Sequence, residues 1–166
     1  MIHIPEIIDY KPFYIQTASM SSAKDIKSYG LIAKSTPFPI LPSPKDPYKN
    51  DWLDENGDDE YVSVMHYKPI EFTVAFYLKA YDETGSSAEQ QLRQRIDDFF
   101  SLIRDGEFKI YDSYTGIGRQ KVRYAGYEEE SFKRRDNWAR VIFHIKFKVN
   151  DPITRIIKSG NQLTEE

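Results

Sequence analysis

The densest cluster of ionisable side chains in the sequence lies in DWLDENGDDEYV, residues 51–62. Carboxylates at such a density can hold a divalent cation, carry acid–base catalysis, or form a solvated turn that leads into a strand. The choice among these decides whether the chain is to be regarded as an enzyme. The six carboxylates of this acidic loop are Asp51, Asp54, Glu55, Asp58, Asp59 and Glu60.

The spacing of the acidic loop fits neither kind of chemistry. A calcium-binding EF-hand loop needs glycine at its sixth position and glutamate at its twelfth. Counted from Asp54, the sixth residue is Asp59 and the twelfth is Met65. A hydrolase with paired carboxylates needs two acids held in a cleft, whereas six acids beside glycine and asparagine repel one another and prefer water. We therefore predict a polar turn before a strand, with no metal and no cofactor.

Other residue types that carry chemistry are equally uninformative about catalysis. His3, His66 and His144 do not share metal-ligand spacing on one element. The segment YTGIGRQK (114–121) lacks the Gly-Lys-Ser/Thr sequence that opens a helix in a phosphate-binding loop. The chain has no cysteine, which excludes thiol chemistry. We predict no catalytic residue and no enzyme. The cationic turn KRRDN (133–137) is either solvated or docks on an acidic neighbour.

The composition is that of a globular protein. The chain has 166 residues, of which 40% are hydrophobic and 30% charged, and this predicts a single domain over residues 1–166. Its net charge of −3 gives no basic excess for specific binding to nucleic acid. No apolar run approaches the ~18 residues of a membrane span, and no basic-then-apolar leader opens the chain. We therefore expect neither membrane insertion nor secretion.

Two strands and one helix are the clearest elements. Residues 70–81 and 139–149 alternate apolar and polar side chains, the period of a half-buried strand. Residues 86–105 carry an apolar stripe at spacings of three and four, which predicts an amphipathic helix. Ser86 and Glu89 have the spacing of a capping box, and Gly106 suits the position after a helix end.

Shorter segments complete a sheet around this helix. Residues 107–112 and 119–131 read as a hairpin, and residues 13–18 as a possible first strand. Residues 21–35 fit either a short helix or a strand reached by a loop. The order predicts an α+β fold, a mostly antiparallel sheet or sandwich with one main helix packed on it. We expect a flexible C-terminal tail at 153–166.

Residues 36–47 carry five prolines, which remove backbone donors and favour extended geometry. This segment is either a surface loop or an arm that reaches a neighbouring subunit. Its apolar side chains, together with the tryptophan of the acidic loop, are the candidate subunit contacts. They are Pro37, Phe38, Pro39, Ile40, Leu41 and Trp52.

The order of these segments resembles the distal-tail proteins, and related tail-tube and tail-completion proteins, of long-tailed bacteriophages and prophages. The family pattern runs through a proline-bearing segment, an acidic glycine turn and a strand, which here are SYGLIAKSTPFPI, DWLDENGDDEYV and YKPIEFTVAFYL. It continues with a capped helix, a hairpin and a closing strand, here SSAEQQLRQRIDDFFSLI, GEFKIYDSYTGIGRQKVRYAGYEEES and FKVNDP. The resemblance covers about residues 28–152.

The resemblance implies a structural component of the virion tail, assembled in the bacterial host cytoplasm as a hexameric ring where the tail tube meets the baseplate. Its partners would be copies of itself, the tail tube, the tape measure and the baseplate hub. The acidic loop would face a neighbouring subunit or line the lumen, where it would repel DNA phosphates. Two alternatives stay open: a tail terminator or completion protein, and a small α+β ligand-binding module or enzyme of unknown substrate.

Overall fold

The computed structural model describes residues 12–35, 39–53 and 56–166. Eleven strands, one α-helix and one short 3-10 helix are found in these residues. In chain order they are β1 (Phe13–Thr17), β2 (Lys24–Asp25), the 3-10 helix (Ile26–Tyr29), β3 (Leu31–Ser35), β4 (Tyr48–Asn50), β5 (Asp59–Tyr61), β6 (Ile70–Tyr81), α1 (Ala88–Ile103), β7 (Phe108–Asp112), β8 (Ile117–Arg134), β9 (Trp138–Val149), β10 (Ile156–Ser159) and β11 (Gln162–Glu165).

Nine strands form one antiparallel sheet in the order β2-β1-β7-β8-β9-β6-β3, to which β10 and β11 are added beside β8. Strands β4 and β5 form a separate two-stranded sheet. The predicted α+β class, a mostly antiparallel sheet with one main helix, is confirmed. Residues 21–35, which the sequence left undecided, contain β2, the 3-10 helix and β3.

The two predicted long strands are β6 and β9, and they pair along their whole length from Ile70 opposite Val149 to Tyr81 opposite Trp138. Opposite residues of an antiparallel pair project from the same face. The two alternating apolar rows that the sequence predicts therefore form one continuous surface. Phe72, Phe76, Phe143 and Phe147 lie on it and are buried.

The sheet bends around its core at β8, which has 18 residues. Its first part, up to Val122, pairs with β7, and the part from Val122 to Arg134 pairs with β9 on the other edge. The two halves of the sheet consequently face each other. The Phe13 ring on β1 meets the Phe76 ring on β6 edge-on, with 6.1 Å between centroids.

Helix α1 closes the remaining side of the core. Leu92, Phe99 and Ile103 are buried, as the predicted stripe requires. The Phe99 ring lies 5.4 Å from the Phe76 ring and 6.0 Å from the Tyr29 ring, centroid to centroid. The helix thus joins the long strands to the segment that precedes β3.

The helix ends differ from the prediction. Ser87 is the N-cap: its Oγ accepts from Gln90 N at 3.3 Å, and Gln90 Oε1 accepts from Ser87 N at 3.1 Å. The predicted box of Ser86 and Glu89 is wrong by one residue, because Ser86 belongs to a tight turn in which its backbone pairs with Glu83. The helix ends at Ile103 with Arg104 as C-cap, so Gly106 lies beyond the C′ position.

The segment 153–166, for which the sequence predicted a flexible tail, contains the hairpin β10–β11. Its two inward side chains, Ile156 and Leu163, are buried. Lys109 Nζ donates to Leu163 O at 3.1 Å, and Leu163 N donates to Gln16 Oε1 at 2.8 Å. The docking depends on Gly118, since a Cβ at this position would lie 2.2 Å from Ile156 O.

Substitution of Phe99 tests the packing of the helix on the sheet. Phe99→Ala should lower the free energy of unfolding by about 3–5 kcal/mol, because a fully buried ring is removed from a close-packed site. Phe100→Ala is the matched control: it makes the same change one residue further on, where the ring is 40% exposed. Urea unfolding should show a clearly smaller loss for Phe100→Ala, and equal losses would contradict the described packing.

Asp151 tests the turn that leads from β9 to the C-terminal hairpin. Burial raises the pKa of Asp151, but hydrogen bonds from Gln120 Nε2 and from the backbone N–H groups of Ile153 and Thr154 outweigh it and lower the pKa to about 2. Since the ordinary value is 3.8, this carboxylate stabilises the fold above about pH 4 and loses that effect as the pH falls towards 2.

Asp151→Asn should therefore lower the melting temperature at pH 7 and change it little near pH 2. Asp136→Asn, at an exposed carboxylate, is the control and should have a small effect at both pH values. Thermal unfolding followed by circular dichroism across this range measures both. A pH-independent loss for Asp151→Asn would show that the hydrogen bonds are not specific to the charged form.

Candidate functional site: a protruding hairpin

A long hairpin projects from the sheet between β3 and β6, and we call its residues 43–68 the hairpin arm. Near the sheet, Lys68 N donates to Ser43 O and Lys45 N donates to His66 O, each at 2.8 Å. Further out, β4 pairs with β5 from Tyr48 opposite Tyr61 to Asn50 opposite Asp59. The prolines in the first half of the hairpin arm fit this position. Each fixes an extended backbone, and the N–H that proline lacks is not needed on the outer edge of a two-stranded hairpin.

The hairpin arm exposes apolar side chains that a strand normally buries. Leu53 is fully exposed, Tyr48 is 73% exposed and Val64 is 62% exposed. Trp52 and Tyr61 are also more than half exposed. Several exposed apolar side chains on one protruding segment are typical of an interaction site. Tyr48, Leu53, Tyr61 and Val64 are not among the contacts predicted from the sequence, where the β-formers YVSV at 61–64 were the available signal.

The acidic loop forms the tip of the hairpin arm, so the predicted turn before a strand is found, with that strand being β5. Asp51 and Asp58 flank the turn, and Gly57 has a φ of 91°, which only glycine adopts readily. Lys49 Nζ and Asp58 Oδ2 are 2.7 Å apart, and this hydrogen bond raises the pKa of Lys49. Asp59 and Glu60 continue the tip into β5, whereas Asp54 and Glu55 lie outside the described residues.

The candidate subunit contacts of the proline segment differ in how far their side chains are exposed to solvent. Pro37 and Phe38 lie outside the described residues. Pro39 is half-buried, and Ile40 and Leu41 are 68% and 73% exposed. The structure brings none of these three beside Trp52 at the far tip. Their role as subunit contacts stays a prediction.

The backbone at the root of the hairpin arm is held by a buried cation. Arg119, which is only 3% exposed, donates to Ile40 O at 3.2 Å and to Pro152 O at 3.1 Å. Burial lowers the pKa of Arg119, and the nearby Arg155 lowers it further. Arg119 thereby fixes the root of the hairpin arm against the turn that follows β9.

A second polar surface lies on the outer face of the sheet, which α1 does not cover. Lys133, Arg140 and Lys79 stand directly opposite one another on β8, β9 and β6, so they project in one line, which we call the cationic row. Lys79 Nζ lies 4.5 Å from the centroid of Trp138. Of these three cations, only Lys133 was predicted, in a cationic turn, because the row forms only when three distant segments of the chain pair.

Catalytic geometry is not apparent in the described parts of the chain. They contain no group of three or more His, Cys, Asp or Glu side chains that could hold a metal ion. His144 pairs with Glu130 at 2.7 Å on the outer face of the sheet. The clefts are shallow and open; one of about 290 Å³ lies beside Arg119. That the chain is not an enzyme stays a prediction. No helix in these residues is long and apolar enough to span a membrane.

Comparison with known proteins identifies the fold. No family model and no curated protein sequence matches this chain. The crystal structure of SPP1 Dit (gp 19.1) protein, described as a paradigm of the hub adsorption apparatus in phages that infect Gram-positive hosts, has a similar fold, with a TM-score of 0.58 and 18% sequence identity. The match covers 88% of this chain and 52% of that one, so this chain spans about half the length of the Dit protein.

Removal of Arg119 tests how the hairpin arm is anchored. Arg119→Met leaves the carbonyls of Ile40 and Pro152 without these donors, and it should cost about 1–3 kcal/mol of stability. Hydrogen exchange should rise at the backbone amides around Ile40. Arg123→Met is the control, because Arg123 is exposed and donates only to the adjacent Tyr124 O. Unchanged exchange around Ile40 in Arg119→Met would contradict the anchoring role.

Proposed function

We propose that this protein is a structural component of a phage or prophage tail, and that it assembles with copies of itself into a hexameric ring where the tail tube meets the baseplate. The observation that carries the proposal is the likeness of its fold to the SPP1 Dit protein over 88% of the chain. The segment order in the sequence points independently to the same family of tail proteins.

The hairpin arm supports a role in assembly. A solvated loop has little reason to place Leu53, Trp52 and Val64 in water, since burying such side chains is favourable by about 1.5–3 kcal/mol each. Backbone hydrogen bonds join the two halves of the hairpin arm near the sheet, and these side chains lie outside the core of their own subunit. A neighbouring subunit can bury them without any change in this fold.

Open sheet edges support self-association as well. Beyond Val122, the edge of β8 that faces away from β9 is not paired with any strand of the described residues. An unpaired edge presents backbone donors and acceptors that template pairing with another chain. A hairpin arm on one side and an open edge elsewhere are different surfaces, and contacts between different surfaces of identical subunits build rings.

In this proposal the protein belongs to the virion tail and assembles in the cytoplasm of the bacterial host. Its partners are further copies of itself and the neighbouring tail-tube, tape-measure and baseplate-hub proteins. Nothing in the mechanism requires a cofactor or a reacting group. Function follows from which surfaces are buried when the ring closes.

Replacement of the exposed apolar side chains of the hairpin arm tests the proposal. The triple variant Trp52→Ser, Leu53→Ser, Val64→Ser should leave the melting temperature of the dilute monomer nearly unchanged, because these side chains contact no core. Self-association should be lost or strongly weakened. Native mass spectrometry and negative-stain electron microscopy over a concentration series measure the ring, with stability compared at one protein concentration.

A triple variant at exposed apolar side chains outside the hairpin arm is the matched control, and it should still assemble. Its substitutions are Tyr114→Ser, Ile153→Ser and Ile157→Ser. Unfolding of the isolated monomer by the hairpin-arm variant, with normal assembly of the folded remainder, would assign the hairpin arm to the fold of its own subunit.

A further inference from the structure

The cationic row is an arrangement that the isolated subunit does not explain. Cβ atoms of directly opposite residues in antiparallel strands are about 5 Å apart, and like charges in such positions repel one another. Lys133, Arg140 and Lys79 occupy three adjacent strands in this way. No carboxylate of the described residues forms an ion pair with any of them.

Lys146 on the same face is paired within the subunit, whereas Arg123 and Lys148, which stand directly opposite each other, form no ion pair among the described residues. Lys146, six residues beyond Arg140 on β9, has its Nζ 2.9 Å from Glu71 Oε2. In the cationic row, by contrast, the buried Nε of Arg140 has no hydrogen-bond acceptor among the described residues. A buried donor without an acceptor is costly, so the isolated subunit leaves this guanidinium incompletely satisfied.

The hairpin arm carries the complementary surface at its tip. Asp51, Asp59 and Glu60 are exposed, and none of them forms an ion pair within the described ranges. Trp52, next to Asp51 in the chain, is half exposed. Acids and cations are therefore concentrated on two separate surfaces of one subunit, and the acids Asp51, Asp59 and Glu60 and the three cations of the row form no ion pair among the described residues.

We propose that the acidic tip of the hairpin arm of one copy docks on the cationic row of the next copy, with carboxylates placed between Lys133 and Arg140. This rests on the proposed self-assembly and names its contact. The two surfaces are different, so each subunit gives one tip and receives one, as a closed ring requires. Opposite charges also orient two copies before contact and disfavour approach of tip to tip or row to row.

The chain has no cysteine, so introduced thiols report the contact directly. Asp59→Cys protein mixed with Lys133→Cys protein should form a disulfide-linked dimer on mild oxidation. Asp59→Cys mixed with Lys146→Cys is the control, because Lys146 lies on the same face but is paired with Glu71. We expect at least ~10-fold less linkage in the control and a steep loss with added salt. Equal linkage in the two mixtures overturns the proposal.

Charge exchange supplies a second test. The variant Lys133→Glu, Arg140→Glu should associate at least ~10-fold more weakly than the parent, and so should Asp51→Lys, Asp59→Lys. A one-to-one mixture of the two variants should associate again, because each tip then meets a row of opposite charge. Lys146→Glu, Lys148→Glu makes the same charge change at the other end of β9 and should associate as the parent does.

The outcomes separate this contact from the ring itself. Rings that form unchanged from the charge-reversed variants, or a mixture that fails to associate, overturn the contact and leave the proposed function standing. Unchanged rings from the charge-reversed variants are the result expected if the acids line the lumen instead of contacting the row. Absence of any ring from the parent removes the proposed function, whereas a tip–row linkage in paired copies would still support the contact. Loss of duplex DNA binding in Lys133→Glu, Arg140→Glu, with unchanged ring formation, would instead assign the row to nucleic acid and overturn the proposal.

Discussion

The whole architecture depends on one long strand that pairs first with one neighbouring strand and then with another. Strand β8 pairs with β7 up to Val122 and with β9 from there on, and this exchange of edges turns the sheet towards itself. The Phe13 ring then meets the Phe76 ring, and the Phe108 ring meets the Phe147 ring, across one core, with α1 covering the open side. A flat sheet of the same strands would leave one apolar face in water, which the hydrophobic effect strongly disfavours.

The same bend determines which side chains lie on the outer, solvent-facing surface of the sheet. Because the core takes the inward-facing side chains of β6, β8 and β9, their outward-facing partners form lines across the strands, and the pairing register decides which types meet. It aligns Lys133, Arg140 and Lys79, while it gives Lys146 a neighbour in Glu71. Most of the charged side chains of the hairpin arm are acidic. A net charge of −3 therefore combines a mainly acidic hairpin arm with a local row of cations.

Local periodicity was enough to predict the elements that pack against the core. The alternation in β6 and β9 and the stripe of α1 identify both the type and the inward face, because burial imposes those patterns residue by residue. The helix cap was displaced by one residue, since Ser86 and Ser87 offer the same chemistry and the turn at Glu83 decides between them. The candidate site was harder, because exposure leaves no periodic signal and the limbs of the hairpin arm pair over a distance. Gly160-Asn161, between the two strands of the C-terminal hairpin, is a turn signal in a segment for which a flexible tail was predicted.

The position of the hairpin arm between β3 and β6 has an evolutionary consequence. These two strands are antiparallel neighbours in the sheet, so the chain needs only a short turn to join them. Everything between Ser35 and Ile70 is in this sense an insertion, and the entropic cost of loop closure changes slowly with its length. Selection can lengthen, shorten or recharge the insertion while the bent sheet is conserved. The length and charge of this insertion can thus change without a change in the fold of the sheet.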